Sequence, residues 1–188
     1  MGIALADAAK SMGAEITLVL GPVEIRPELK DIRIVPVTTA SEMAEACIRI
    51  FPECDIAILA AAVADYTPET VSKTKLKKSK GPMLLKLVPT PDIAAEIGRI
   101  KKPGQFVAGF ALETENELEN ATVKMRKKNL DLIVLNSLRD TGAGFGYDTN
   151  RITILDKNNN IDKFELKSKK EAAYDILMKI ISLTATEK

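Results

Sequence analysis

Lys73, Lys75, Lys77, Lys78 and Lys80 crowd into eight residues, shortly after a run of small side chains that ends in an acid, Ala60-Ala61-Ala62-Val63-Ala64-Asp65. Ammonium groups on flexible stems act as compact point charges, suited to a polyphosphate or to negative charge developing in a reaction. Small residues from Ala60 to Ala64 let a ligand approach the backbone, and Asp65 beyond them could hold a sugar hydroxyl, a base edge or a metal. A packed strand followed by a solvated basic loop would read the same way, so the pattern needs support from elsewhere. Thr90-Pro91-Asp92-Ile93-Ala94 offers some, because it sets backbone N–H groups and a helix N-terminus at a loop, a ready anion site. A plain helix start would look alike. Lys124 and Lys128, four residues apart on one helix face, could reach a phosphate together. Asn136 closes an apolar run where its amide can fasten neighbouring loops.

The rest of the composition narrows the chemistry. The 188 residues contain no histidine, which removes His-based acid–base catalysis, Ser-His triads and most transition-metal sites. An enzyme built from this chain must work with Lys, Asp, Asn, backbone amides and a hard cation. Cys47 and Cys54 suggest neither a disulfide framework nor a zinc site and read as reduced core thiols. A formal net charge of +1 provides no overall field toward nucleic acid or a membrane surface. No apolar run approaches the roughly 20 residues that span a bilayer, and Asp7 and Lys10 interrupt any secretory signal at the start. We expect a cytoplasmic protein that binds neither nucleic acid nor membrane.

Periodicity supplies the scaffold. Ile3, Ala4, Leu5, Ala8, Ala9 and Met12 recur at helical spacing, closed by Gly13. Ile16 to Leu20 and Ile32 to Val37 read as strands, and Thr39 to Glu42 as a capping box opening a helix that Pro52 stops. Asp55 to Ala62 is apolar enough to predict a strand buried on both faces. Met83 to Val88 reads as a short strand, and Thr90 as the N-cap of a helix reaching Ile100 with Pro91 in first position. Gln105 to Phe110 is a strand, Glu115 to Lys128 a helix, and Leu130 to Leu135 another buried strand. Arg151 to Leu155 and Lys163 to Leu166 flank Asn158-Asn159-Asn160 as a hairpin. Ser168 caps a last helix with Ala172, Ile176, Leu177, Ile180 and Ile181 on one face.

This alternation predicts one domain with a doubly wound, mostly parallel, Rossmann-like α/β sheet and an antiparallel hairpin at one edge. In such sheets ligands bind outside the carboxyl ends of the strands, here Leu59 to Tyr66, Val107 to Thr114 and Ile133 to Asn136. Gly142, Gly144 and Gly146 do not make a dinucleotide fingerprint, since a strand-like segment follows them instead of a helix. A closing loop or a structural connector fits them better. A doubly wound domain usually opens on a strand and its ligand-binding loop, whereas this sequence opens on a helix. We therefore expect a first strand and loop upstream of Met1.

Taken together, several segments resemble phosphopantothenoylcysteine synthetase. They are Met1-Gly2, Gly13 to Pro22, Ala60 to Tyr66, Lys75 to Lys78, Pro91 to Ile93, Gly109 to Thr114, Lys128 to Ile133 with Asn136, and Gly144 to Asn150. They occur in the family's order and cover nearly the whole chain. The resemblance implies a ligase of coenzyme A synthesis, in which CTP activates the carboxylate of 4′-phosphopantothenate as an acyl-cytidylate with loss of pyrophosphate. The amine of cysteine then displaces CMP, and Mg²⁺ bridges the phosphates. It assigns Lys75 as catalytic, on a loop that closes over the nucleotide, and Asp65 as an acid that holds the nucleotide. Leu59, Ala60, Ala61, Pro91, Asp92, Ile93, Ala94, Phe110, Lys124 and Lys128 match further nucleotide positions, and Ala62 lies where the family's backbone nears the acyl intermediate.

The resemblance also implies a homodimer and, in many members, a flavin-dependent decarboxylase domain fused upstream. The family carries an R-x-I-[ST]-N-x-S-S-G-K segment just before its Met-Gly, with an asparagine that acts on the intermediate. Its absence from this sequence repeats the expectation of a strand and loop upstream, and the fragment alone is expected to complete the reaction poorly. Two other readings stand beside the ligase: a nucleotide-binding α/β module without chemistry of its own, and an NAD(P)-dependent oxidoreductase domain. The missing G-x-G-x-x-G weighs against the latter.

Overall fold

The computed structural model describes residues 1–72, 74–78, 81–113, 115–137 and 147–186. Lys73, Lys80, Thr114 and the glycines of 142–146, singled out from the sequence, lie outside the described residues. The centre is a five-stranded sheet in the order β10-β9-β7-β6-β3. Its strands are β3 (Ile56–Leu59), β6 (Phe106–Glu113), β7 (Leu132–Ser137), β9 (Ile152–Asp156) and β10 (Ile161–Lys163). β3, β6 and β7 run parallel, while β9 and β10 form the expected antiparallel hairpin at the edge, its second strand at Ile161–Lys163 and not at Lys163 to Leu166, because the tight Asn158–Asn160 turn brings Ile161 directly opposite Leu155.

Period-2 alternation sorts the central strands into two cores. Phe106, Ala108, Leu132, Val134, Ile152 and Ile154 face α1 (Gly2–Ser11) and α5 (Lys169–Thr186). Val107, Ala111, Ile133, Leu135 and Leu155 face α2 (Ala40–Ile50), α3 (Ile93–Ile100) and α4 (Glu117–Lys127). Helix ends follow the sequence closely. Thr39 and Glu42 form the expected capping box of α2, and Ser168 and Glu171 exchange the same pair of bonds at α5. Gly13, at φ 90°, turns the chain out of α1. On α5, Ala172, Ile176, Leu177 and Ile180 are buried, but Ile181 is 44% exposed and falls off the apolar stripe.

Two departures concern the site. Burial on both faces holds for β7 but not for β3, where Ile56 is 40% exposed and the other positions are only part-buried. The cause is pairing. β3 has β6 on one side, and among the described residues no strand on the other. β1 (Thr17–Leu20) and β2 (Arg33–Pro36) form a separate parallel pair, reached from the main sheet through α2, which contacts β1 and packs on the main sheet through Ala44. The second departure is a ribbon that periodicity missed. β4 (Tyr66–Pro68) pairs antiparallel with β5 (Leu87–Pro89), shorter than the expected Met83 to Val88 strand, and the described residues between them, 69–72, 74–78 and 81–86, form an exposed arm. The two remaining strands, β8 (Thr149–Asn150) and β11 (Lys167–Ser168), pair antiparallel beside α5. Cys47 and Cys54 are free but only half-buried, and burial pushes both thiols upward.

The edge hairpin is pinned to α5 by a carboxylate. Asp156 is fully buried. Its Oδ1 accepts from the backbone N–H groups of Asn158 (2.9 Å) and Asn160 (3.0 Å), and its Oδ2 from Asn160 Nδ2 (3.0 Å) and Lys179 Nζ (3.1 Å). Burial alone would raise this carboxyl, but the Asn160 bonds and the Lys179 ammonium outweigh it and hold it below the ordinary range. The unfolded chain has the higher value. The stabilisation is therefore full above about pH 4 and fades as pH falls through the folded-state value. Asp156→Asn should lower the urea-unfolding free energy by about 1–3 kcal/mol at neutral pH. The gap from the native chain should shrink on acidification, and a gap constant with pH would show that the carboxylate charge is not involved.

Candidate functional site

Leu59 ends β3, and Ala60 follows in register just beyond the Leu59–Gly109 pair, level with Phe110 on the neighbouring strand. Ala60 and Phe110 are both part-buried on the α1 side of the sheet. α1 begins beside them, since a Cβ built on Gly2 would lie 3.7 Å from that of Ala60. Ala61 and Ala62 are exposed, as is Asp65. The strand end is thus open to solvent with little side-chain cover, as close approach to backbone requires.

Hydrogen bonds then join this strand end to the start of α3. Thr90 N–H donates to the Asp65 carbonyl (2.9 Å), and Thr90 Oγ1 donates to the Ala64 carbonyl (2.6 Å). The expected cap moves accordingly. The N-cap of α3 is Asp92, whose Oδ1 accepts from Ala95 N–H (3.1 Å), because the Thr90 hydroxyl is already committed to Ala64. Pro91 and Asp92 precede the helix, and Ile93 anchors its first turn in the core while Ala94 is part-buried.

Lys128 joins the same corner. It caps the C-terminus of α4, and its Nζ donates to Asp92 Oδ1 at 3.0 Å and lies 3.0 Å from Oδ2. Lys124, one turn earlier, is exposed. Lys75 is exposed on the arm between β4 and β5, with Lys77 and Lys78. Among the described residues no hydrogen bond or ion pair joins Lys75 to Asp65 or to the α3 corner. Strand end, helix start and Lys128 are therefore brought together, and the basic arm springs from between Asp65 and Thr90. Among the described residues no group of three Cys, Asp or Glu side chains is poised to hold a metal, and no helix is long and apolar enough to cross a membrane.

Two contributors escaped the sequence reading. Gly98 and Asn129 fix how α3 meets the end of α4, with Asn129 Nδ2 donating to the Gly98 carbonyl at 2.8 Å. A glycine inside a helical pattern signals close packing, and an Asn just past a helix end signals a left-handed C-terminal turn. Asn136 behaves as expected, accepting from Asn150 Nδ2 at 3.0 Å to tie β7 to β8.

The family model described as DNA/pantothenate metabolism flavoprotein C-terminal domain matches residues 1–183. A protein of an unknown prokaryotic organism, named cysteine/cysteine sulfinic acid decarboxylase, is 63% identical over 183 residues, 97% of this chain and 51% of that protein. The coenzyme A biosynthesis bifunctional protein CoaBC of Bacillus subtilis is 42% identical over 184 residues, 98% of this chain and 45% of the relative. The crystal structure of the C-terminal domain of a CoaBC superposes with a TM-score of 0.82 at 37% identity, covering 98% of this chain and 84% of that one. The chain spans about half the length of the curated relatives it matches.

The bonds from Thr90 hold the strand-end loop to α3. Thr90→Val keeps the shape and removes the hydroxyl. It should cost about 1 kcal/mol in global stability, yet speed hydrogen exchange at the Thr90 amide severalfold. Unchanged exchange there would show that the β4–β5 ladder holds the corner by itself.

Proposed function

Since the chain belongs to the family of DNA/pantothenate metabolism flavoprotein C-terminal domains, we propose that it is the synthetase part of a phosphopantothenate–cysteine ligase. Its work is to form an amide through an acyl-nucleotide. The 4′-phosphopantothenate carboxylate attacks the α-phosphorus of CTP, the bond to the β-phosphate oxygen breaks, and pyrophosphate leaves. The amine of cysteine then attacks the acyl carbonyl, the acyl–oxygen bond breaks, CMP leaves, and the amine sheds a proton to solvent. The observation that carries this reading is the single corner at which the 59–65 strand end, the Thr90–Asp92 helix start and Lys128 meet.

Each part of the corner has a task in this reading. Exposed backbone at Ala60 to Ala62 lies along the nucleotide, and Asp65 holds its polar groups. N–H groups at the start of α3 and the ammonium groups of Lys124 and Lys128 face its negative charge. Lys75, carried over the site by the arm, offsets the charge that builds on the phosphates as pyrophosphate departs, a task that needs a fixed cation more than a proton shuttle. Magnesium would enter with the nucleotide, held by its phosphates, and would supply charge neutralisation beside that of Lys124 and Lys128.

The edges of β1 and β3 that have no partner strand among the described residues fit a further parallel strand between them, giving the order β2-β1-strand-β3-β6-β7. A strand there would deliver its loop to the start of α1 beside Ala60, where Gly2 lies. We assign the second wall of the site to such a strand and its loop. The arm displays Val71, Met83 and Leu84 at 79%, 65% and 99% exposure, which supports pairing with a second copy into a homodimer. A chain that sediments as a monomer at micromolar concentration would remove the arm from that role.

One observation favours a second reading. The 63% identical relative is named as a decarboxylase with no ligase in its name, which suits a domain kept as a nucleotide-binding module without chemistry. Turnover separates the two. CTP with Mg²⁺ should raise the melting temperature, and stabilisation by NAD(P) instead would sink both nucleotide assignments. With a strand and loop supplied at the free edge of β3, phosphopantothenate and cysteine should drive CMP and pyrophosphate release. Lys75→Gln should reduce that release by about 10²–10³-fold, the usual loss for one charge-stabilising group. CTP binding without any release leaves the module reading, and near-normal turnover of Lys75→Gln makes the basic arm a solvated face.

A further inference from the structure

Lys128 is held at both ends of its side chain. At the backbone end, a Cβ added to Gly98 would lie 1.8 Å from the Lys128 carbonyl oxygen and 2.9 Å from its carbon. Helix α3 and the Lys128 backbone can touch only because position 98 has no side chain. Asn129, at φ 50°, turns the chain away at that point. Its Nδ2 bonds the Gly98 carbonyl, and its own carbonyl accepts from Lys101 Nζ at 2.9 Å. At the far end, both carboxylate oxygens of Asp92 meet the Lys128 ammonium. The lysine therefore lies back along α3, from Gly98 within the helix to its N-cap, and its charge is delivered to the helix N-terminus.

We propose that Asp92 is a positioning residue, which fixes the Lys128 ammonium at the start of α3 and does not itself contact the nucleotide. This rests on the nucleotide reading of the corner. Both Asp92 oxygens are engaged within the protein, one of them shared with Ala95 N–H. Burial raises this carboxyl, but the Lys128 bond, the Ala95 N–H and the charges of Lys128 and Lys127 together hold it below its ordinary value. Asp92 is thus ionised at neutral pH. A free lysine must surrender its rotamers when a phosphate arrives, whereas one tethered beforehand has already lost them.

Asp92→Asn separates the two duties of the residue, because Asn caps a helix about as well as Asp and cannot hold an ammonium as strongly. Its melting temperature should match that of the native chain. Acylation of Lys128 by a small amine-reactive ester, followed by mass spectrometry, should run severalfold faster in the variant. Calorimetry with CTP and Mg²⁺ should give a Kd weaker by about three- to tenfold, the size expected for re-ordering one long side chain. In a Lys128→Met background the same change should leave the Kd within about twofold, since two residues acting through one contact are not additive. Unchanged labelling overturns the proposal, and so does CTP binding that is unaffected or tightened by Asp92→Asn in a native chain that binds CTP. A native chain that binds no CTP overturns the nucleotide reading itself, and the proposal with it.

Discussion

The buried carboxylate of Asp131, at the amino end of β7, is the contact through which the layers of this domain are registered. Its Oδ2 accepts from the Val107 N–H of β6 at 2.8 Å and from Lys101 Nζ, just past α3, at 3.0 Å. Lys157, in the turn of the edge hairpin, approaches Oδ1 at 3.3 Å. One side chain thereby joins two parallel strands, a helix end and the hairpin. A buried charge removed from such a set of partners is costly, so the offset between β6 and β7 is specified by electrostatics as well as by the apolar pattern. That offset decides which residues emerge at the opposite, carboxyl ends of the strands, where Leu59 to Ala62 and Phe110 lie.

A chain of consequences runs from this register to the chemistry. Lys101 reaches Asp131 and also the carbonyl of Asn129, so the end of α3 and the end of α4 share a fixed point. Gly98 lets the two backbones touch one turn away, and the Lys128 side chain then runs to the N-cap. The candidate corner is built at the far end of a helix whose near end is tied to the buried Asp131 carboxylate. Rigidity is thus carried along α3, with no long loop needed to supply it. The arm is the contrary case. It is rooted by a short ladder at Tyr66–Pro68 and Leu87–Pro89, and much of what it carries is exposed. A fixed corner and a loosely rooted arm are the division that the proposed binding and charge-stabilising roles require.

Much of this was legible in the sequence where a local rule acts. The capping boxes at Thr39 and Ser168, the turn at Gly13, the Asn158-Asn159-Asn160 hairpin and the doubly buried β7 follow from short-range patterns. Where a residue had two partners to choose from, local rules failed. Thr90 looks like an N-cap, but its hydroxyl serves Ala64, twenty-six residues away, and Asp92 takes the cap. β3 looks buried on both faces because its side chains are apolar, yet a strand's burial depends on its neighbours, and here one neighbour is missing from the described ladder. Ile181 was assigned to the buried face from spacing, although helical residues five apart already diverge in direction. Of the candidate positions named from the sequence, Asp65, Pro91 to Ala94 and Lys128 meet at one corner, whereas Lys75 is exposed on the arm and makes no contact with them among the described residues. The contacts that organise the corner, through Thr90, Gly98 and Asn129, were not legible, because each depends on two segments far apart in sequence.

The unpaired edges and the corner bear on each other. In an open parallel sheet the crevice forms where adjacent strands send their connections to opposite faces, and β3 sends its chain toward the arm and α3, on the face opposite α1 and α5. A strand on the free edge of β3 that led into α1 would complete such a switch point directly over Ala60. The corner described here would be one lip of that crevice, with Asp65, the start of α3 and Lys128 along it. The other lip would be the loop entering α1. Among the described residues, a helix start on each face and an exposed strand end converge at the end of β3, where the small-residue run lies.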